Sequence, residues 1–162
     1  MKKYGIVVFA LLSCLFLATG CSLGNGGIEK KGSLTSFTYR FHRYSGEDTE
    51  YRVEKKGGKV FFYAAGPKEA ADCQVDESVL NELDARIRDY YLTQWNGFEE
   101  SNESILGGDS FSLEAVYDSG YRIEARGYEK YPEDFEEVHG AITEYFGEMI
   151  RHINGEEPES IF

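Results

Sequence analysis

From Ser36 to Tyr44 the chain reads SFTYRFHRY, and as far as His42 Phe or Tyr alternates with a polar side chain. Phe37, Tyr39 and Phe41 fall on one side, and Thr38, Arg40 and His42 on the other. A period of two describes a strand with one buried face. Ser45-Gly46-Glu47-Asp48 then turns the chain, and EYRVEK follows with Tyr51 and Val53 on a common side. Lys56-Gly57-Gly58-Lys59 turns it again into VFFYAA, a third strand. Twelve Tyr and 11 Phe against two Met and one Trp suit an aromatic-filled sheet core better than a helical bundle.

The period then changes. In DESVLNELDARIRDYYL, Val79, Leu83, Ile87 and Tyr90/Tyr91 recur every three to four residues, with Asp76 placed to cap an amphipathic helix. Thr93 to Asp109 reads as a long irregular connection. SFSLEAVYDSGYRIEARG is a hairpin turning at Asp118-Ser119-Gly120. The final helix has Pro132 near its first turn, with Glu133 and Asp134 complementing its dipole. Phe135, Val138, Ile142, Tyr145/Phe146, Met149 and Ile153 form its buried stripe, and Asn154-Gly155 stops it. The expected order is βββ-α-ββ-α, an α+β fold. Short turns make the sheet antiparallel, and its one-sided alternation puts both helices on one face in two layers. The two hairpins also align as Ser-Phe-Ser/Thr, Tyr, Ser-Gly, Tyr-Arg-Val/Ile-Glu and Gly. They suggest either a duplicated hairpin–helix unit or the shared composition of alternating strands.

The N-terminus carries a different message. Lys2 and Lys3 precede a 13-residue apolar run, Ile6 to Ala18. That is short of the roughly 20 residues a membrane-spanning helix needs, and it has the layout of an export signal. Leu17-Ala18-Thr19-Gly20-Cys21 resembles the lipobox of bacterial lipoproteins, in which cleavage precedes a cysteine that receives diacylglycerol. The resemblance implies residues 1–20 as a signal peptide, Cys21 as the lipidated N-terminus, and a membrane anchor on the extracytoplasmic side. In a Gram-negative host Ser22 would direct the protein to the outer membrane. Residues 21–32 are Gly-rich and expected as a flexible tether, 33–155 as one domain, and 156–162 as a frayed tail. The mature chain would carry 15 basic and 29 acidic residues, a balance that repels nucleic acid and anionic headgroups.

No motif specifies a reaction or a cofactor: there is no phosphate-binding glycine loop, G-x-S-x-G, Cys-x-x-Cys or His-Glu-x-x-His. With Cys14 removed and Cys21 acylated, Cys73 is the one free thiol, most simply a small apolar residue. A Cys73–His139 nucleophile–base pair has no support in the spacing. Glu99, Glu100, Glu103 and Asp109 cluster in the long connection without the D-x-D-x-D-G pattern of a calcium loop. They form a solvated acidic face or a weak cation site. In the same connection Trp95 and Phe98 either grip a sugar or peptide or fold back to cap the core.

The pattern from the first strand through GYEKYPEDFEEVHGAITEYF resembles uncharacterised lipoproteins of Gram-positive anaerobes, where Gly, Tyr-Pro and an aromatic open the last helix. That family implies no activity and so no functional residues. The doubled strand–helix layout is loosely similar to the beta-lactamase inhibitor protein. The expected function is a membrane-anchored binding or interaction module for a protein, peptide or sugar. The alternative is a small extracytoplasmic hydrolase using carboxylates, which a deep polar pocket with convergent carboxylates would favour.

Overall fold

The computed structural model describes residues 31–67 and 70–155. Seven strands form one sheet in the order β4-β3-β2-β1-β6-β7-β5. They are β1 (Leu34–Arg43), β2 (Glu47–Lys56), β3 (Lys59–Ala65), β4 (Ala70–Val75), β5 (Phe98–Ser101), β6 (Ser110–Tyr117) and β7 (Arg122–Tyr128). Helix α1 spans Ser78–Asp89 and α2 spans Phe135–Asn154. Every neighbouring pair is antiparallel except β5, which runs parallel to β7. The α+β class follows from the alternation: Phe37, Tyr39, Phe41, Tyr51, Val53, Phe62, Leu113 and Ile123 are all buried on one face.

Both helices lie over that face. Phe146 of α2 is fully buried and stacks on Tyr51 and Phe62 with ring centroids 4.6 and 5.5 Å apart. Phe135, eleven residues earlier, packs on Phe111 and Phe41 at 4.7 and 6.2 Å. Helix α1 buries Leu80, Leu83 and Ile87. Its Asp84 accepts a hydrogen bond from the Tyr117 hydroxyl at 2.8 Å, and Glu82 accepts one from Tyr145 of α2 at 3.1 Å. Burial pushes both phenols well above their usual pKa, so they remain donors. Each buried aromatic side chain contributes about 1.5–3 kcal/mol of transfer free energy, so a stripe of this length explains why α2 holds to the sheet.

The order is richer than βββ-α-ββ-α by two strands. AADCQV forms edge strand β4, its residues pairing with Val60–Ala65. Ala, Asp and Gln have poor strand propensity, and an edge strand answers to only one neighbour. FEES forms β5 inside the expected irregular connection, preceded by a 3₁₀ turn over Leu92–Trp95. Four residues carry too little alternation to be read as a strand. The helix starts also differ in detail. The N-cap of α1 is Glu77, not Asp76; Asp76, one residue earlier, accepts the Ser78 amide at 2.8 Å, and this bond holds its carboxyl below the ordinary range. Pro132 lies three residues before α2 and accepts the Phe135 amide instead of occupying the first helical position. Gly155 ends α2 in the left-handed region, φ 73°, as Asn154-Gly155 implies.

The two hairpins sit side by side, and β1 and β6 pair at the centre with Tyr39 opposite Leu113. Phe37 faces Ala115, and Phe111 faces Phe41, so these two strands are related by a local two-fold through Tyr39 and Leu113. The second strands break the relation. Tyr51 opposes Tyr39, whereas Ala125, not Tyr121, opposes Leu113. The four extra residues in the first hairpin shift the aligned Tyr-Arg-Val/Ile-Glu segments out of equivalence.

Candidate functional site

The other face of the sheet carries no helix, and its residues form rows across the strands. One row runs Arg126, Ser112, Arg40, Glu50. The next runs Glu124, Glu114, Thr38, Arg52, Tyr63, Asp72. Most of these charges pair with each other. Arg40 meets Glu50 at 3.0 Å, and Arg122 bridges Glu114 and Glu124 at 2.9 and 3.0 Å. Between the rows lies a groove of about 300 Å³ lined by Thr38, Arg40, Ser112, Glu114, Glu124 and Arg126.

One end of this face has an apolar rim. Tyr44 (67% exposed), Ile105 and Leu106 (95% exposed) project there. The loop bearing them is held by backbone and side-chain bonds. Tyr128 Oη donates to the Ile105 carbonyl at 3.0 Å, and its own carbonyl accepts the Asn102 amide at 2.9 Å. Asp109 accepts the Tyr44 amide at 2.9 Å, and Glu129 accepts the Asp109 amide at 2.6 Å. Gly107 permits the loop to close: its φ is +79°, and a Cβ there would stand 2.1 Å from the Tyr44 ring. The rim lies at the end of β1 opposite Leu34, a separation of about 30 Å for a strand of this length. At the Leu34 end, Lys31 and Gly32 pack against the β6–β7 turn. Ser119 Oγ donates to the Lys31 carbonyl at 2.7 Å, and Lys31 Nζ lies 4.4 Å from the Tyr117 ring centre.

The site residues expected from sequence divide differently. Trp95 is buried (3% exposed), stacks on Phe135 at 5.9 Å, and donates its indole N–H to Asp134 at 2.8 Å. Its ring therefore caps the core and ties the 3₁₀ turn to the start of α2. Phe98 is half-buried against Phe111 at 6.0 Å. Glu99, Glu100 and Glu103 are exposed, and Asp109 is engaged with Tyr44. The structure thus does not gather these six into one site, and among the described residues no group of three or more His, Cys, Asp or Glu side chains is placed to hold a metal ion. Cys21 lies outside the described residues. Ile105 and Leu106 carry a local signal of their own in the sequence, an apolar pair set between Ser104 and Gly107-Gly108.

His139 occupies a third notable environment. It stacks on Phe135, with centroids 5.6 Å apart, and lies 4.6 Å from Phe41. Tyr39 Oη and His139 Nδ1 are 2.6 Å apart. Burial drives the Tyr39 phenol far up and the His139 imidazole down, the latter helped by Arg43 and opposed by Glu136. Both groups are therefore held neutral, and a single proton is shared across this hydrogen bond. Cys73 sits on edge strand β4 opposite Phe62, and His139 makes its ring contacts with Tyr39, Phe41 and Phe135. No nucleophile–base pair is formed by these partners.

No protein-family model matches the chain, and a comparison with curated proteins finds no significant match. No helix among the described residues is long and apolar enough to cross a membrane.

Proposed function

We propose that this protein is an extracytoplasmic lipoprotein, anchored through Cys21, that docks a partner protein at the end of the domain farthest from the anchor. The observation that carries this is the rim of Tyr44, Ile105 and Leu106. Exposed side chains of this size on a rigid loop are costly to leave in water and are characteristic of contact surfaces. An aromatic and two aliphatic anchors, ringed by polar groups, have the composition of an interface centre. The geometry suits a tethered module, because residue 31 leaves at the other end of β1 and the rim would point away from the bilayer. The acidic balance of the mature chain disfavours nucleic acid and anionic lipid as the partner.

The test is site-specific photo-cross-linking on intact host cells. A benzophenone amino acid replaces Leu106 on the rim or, as a control, exposed Glu148 on α2. A discrete protein adduct is expected from position 106 and not from 148. Equal labelling from both positions, or none from 106, overturns the docking surface. In the same cells a Cys21→Ala chain should leave the membrane fraction. Unchanged membrane association of that variant overturns the anchor alone.

A further inference from the structure

The groove on the uncovered face has a chemistry that the rim does not use. Its Arg126 guanidinium makes no hydrogen bond or ion pair with any described residue, although its register neighbours are Ser112 on β6 and Glu99 on β5. The Ser112 and Thr38 hydroxyls are equally without partners among the described residues. Thr38 is the more telling, since it is 6% exposed and the one polar residue of the buried set. Its hydroxyl nonetheless opens into the groove, where a bound polar group can pair with it. Beside it, Arg52 Nε is buried without a hydrogen bond, 3.9 Å from the Glu54 carboxylate.

The two rows that line the groove have opposite sign. Arg126, Ser112 and the N–H groups of Arg40 not taken by Glu50 offer donors, whereas Glu124 and Glu114, each holding Arg122 through one oxygen, offer their remaining carboxylate oxygens as acceptors. The rows are two residues apart along each strand, a step of about 6.8 Å. A simple anion on the arginine row would face two carboxylates one step away, and a simple cation on the glutamate row would face the arginines. Only a ligand carrying both charges meets both rows with the right sign. The spacing then selects among zwitterions. In an α-amino acid the nitrogen and the carboxylate carbon are about 2.5 Å apart, too close to reach both rows. One further residue adds about 3.8 Å and brings the separation to about 6 Å.

We infer that this groove binds the zwitterion of a short peptide. The terminal carboxylate lies on Arg126 and the Ser112 hydroxyl, with the free N–H groups of Arg40 in reach. The terminal ammonium lies on Glu114 and Glu124, and the Thr38 hydroxyl accepts its remaining hydrogen bond. A volume of about 300 Å³ accommodates a peptide of two or three small residues. This site is separate from the rim, so its success or failure leaves the docking surface untouched.

The experiment is a titration of the full chain in detergent micelles with L-alanyl-L-alanine, followed by amide chemical shifts. Saturable shifts are expected at Thr38, Ser112 and Arg126. The N-acetylated dipeptide and the dipeptide amide, each lacking one charge, should bind at least about tenfold more weakly. Arg126→Gln should lose a similar factor with an unchanged melting temperature, because the side chain is exposed and unpaired. Thr38→Val, which keeps the shape and removes the hydroxyl, should weaken binding severalfold. Four outcomes each overturn the proposal: no saturable shift, shifts that map away from the groove, blocked dipeptides that bind as well as the free one, or inorganic phosphate that binds more tightly than the dipeptide.

Discussion

The two faces of the sheet are built from the same strands, yet they obey different rules. On the helix side Phe37, Tyr39 and Phe41 meet Phe146, His139 and Phe135 in continuous ring contact. On the other side Thr38, Arg40 and their neighbours meet one another and water. Stability resides on the first face, because apolar area removed from water is what the fold gains. The second face is nearly neutral to stability, because exposed ion pairs return little beyond the cost of ordering them. A surface that contributes little to folding is free to be shaped for binding, and there lie Arg126, Ser112 and Thr38, whose polar groups have no partner among the described residues.

Substitutions can break or sharpen this contrast. The largest effect is expected at Phe146, which is fully buried among Phe37, Tyr51 and Phe62. Phe146→Ala should cost about 3–5 kcal/mol by equilibrium denaturation. A loss under about 1 kcal/mol would mean that the helix-covered face is not where stability resides.

A smaller effect is expected from protonating His139 on the same face. Its folded pKa is depressed, chiefly by burial, below the ordinary value near 6.5. The unfolded chain therefore binds its proton first. Stability is full above about pH 6.5 and declines as pH falls through that value toward the folded pKa. The melting temperature should drop between about pH 7 and pH 5, and His139→Gln should flatten the drop. An equal slope in both proteins would show that other groups govern this window.

The smallest effect belongs to the uncovered face. Arg122 bridges Glu114 and Glu124 while half exposed. Arg122→Ala should leave the denaturation midpoint nearly unchanged, and added salt should shrink the difference further. A loss comparable to that of Phe146→Ala would erase the distinction between the faces.

Much of the helix-covered face was legible as a pattern, for period two assigns Phe37, Tyr39 and Phe41 to one side before any partner is known. The stripe from Phe135 to Phe146 identifies the helix that covers them. Edge strands were not legible, because Ala70–Val75 and Phe98–Ser101 become strands by pairing with Val60–Ala65 and Ala125–Tyr128, not by their own composition. Trp95 shows the same limit. A Trp in a polar connection has two possible fates, and its burial followed from the proximity of Phe111, Phe135 and Asp134, contributed by distant segments.

The candidate sites were the least legible. Arg126, Ser112 and Thr38 look like ordinary outward residues of three separate strands, and nothing local marks them as neighbours. Strand periodicity, turn residues and the helix stripe are local properties, so the sequence by itself determined the α+β class, the inward face of the central strands and the helix that covers it, although Ile153 and Tyr91 of the expected stripes are exposed and Leu80 and Ile150 are buried in their place. Strand order and register join residues such as Thr38 and Arg126, 88 positions apart. Only the tertiary structure decided which polar side chains share a groove and which apolar ones are left in water, because those outcomes depend on pairings between segments that carry no mark of each other.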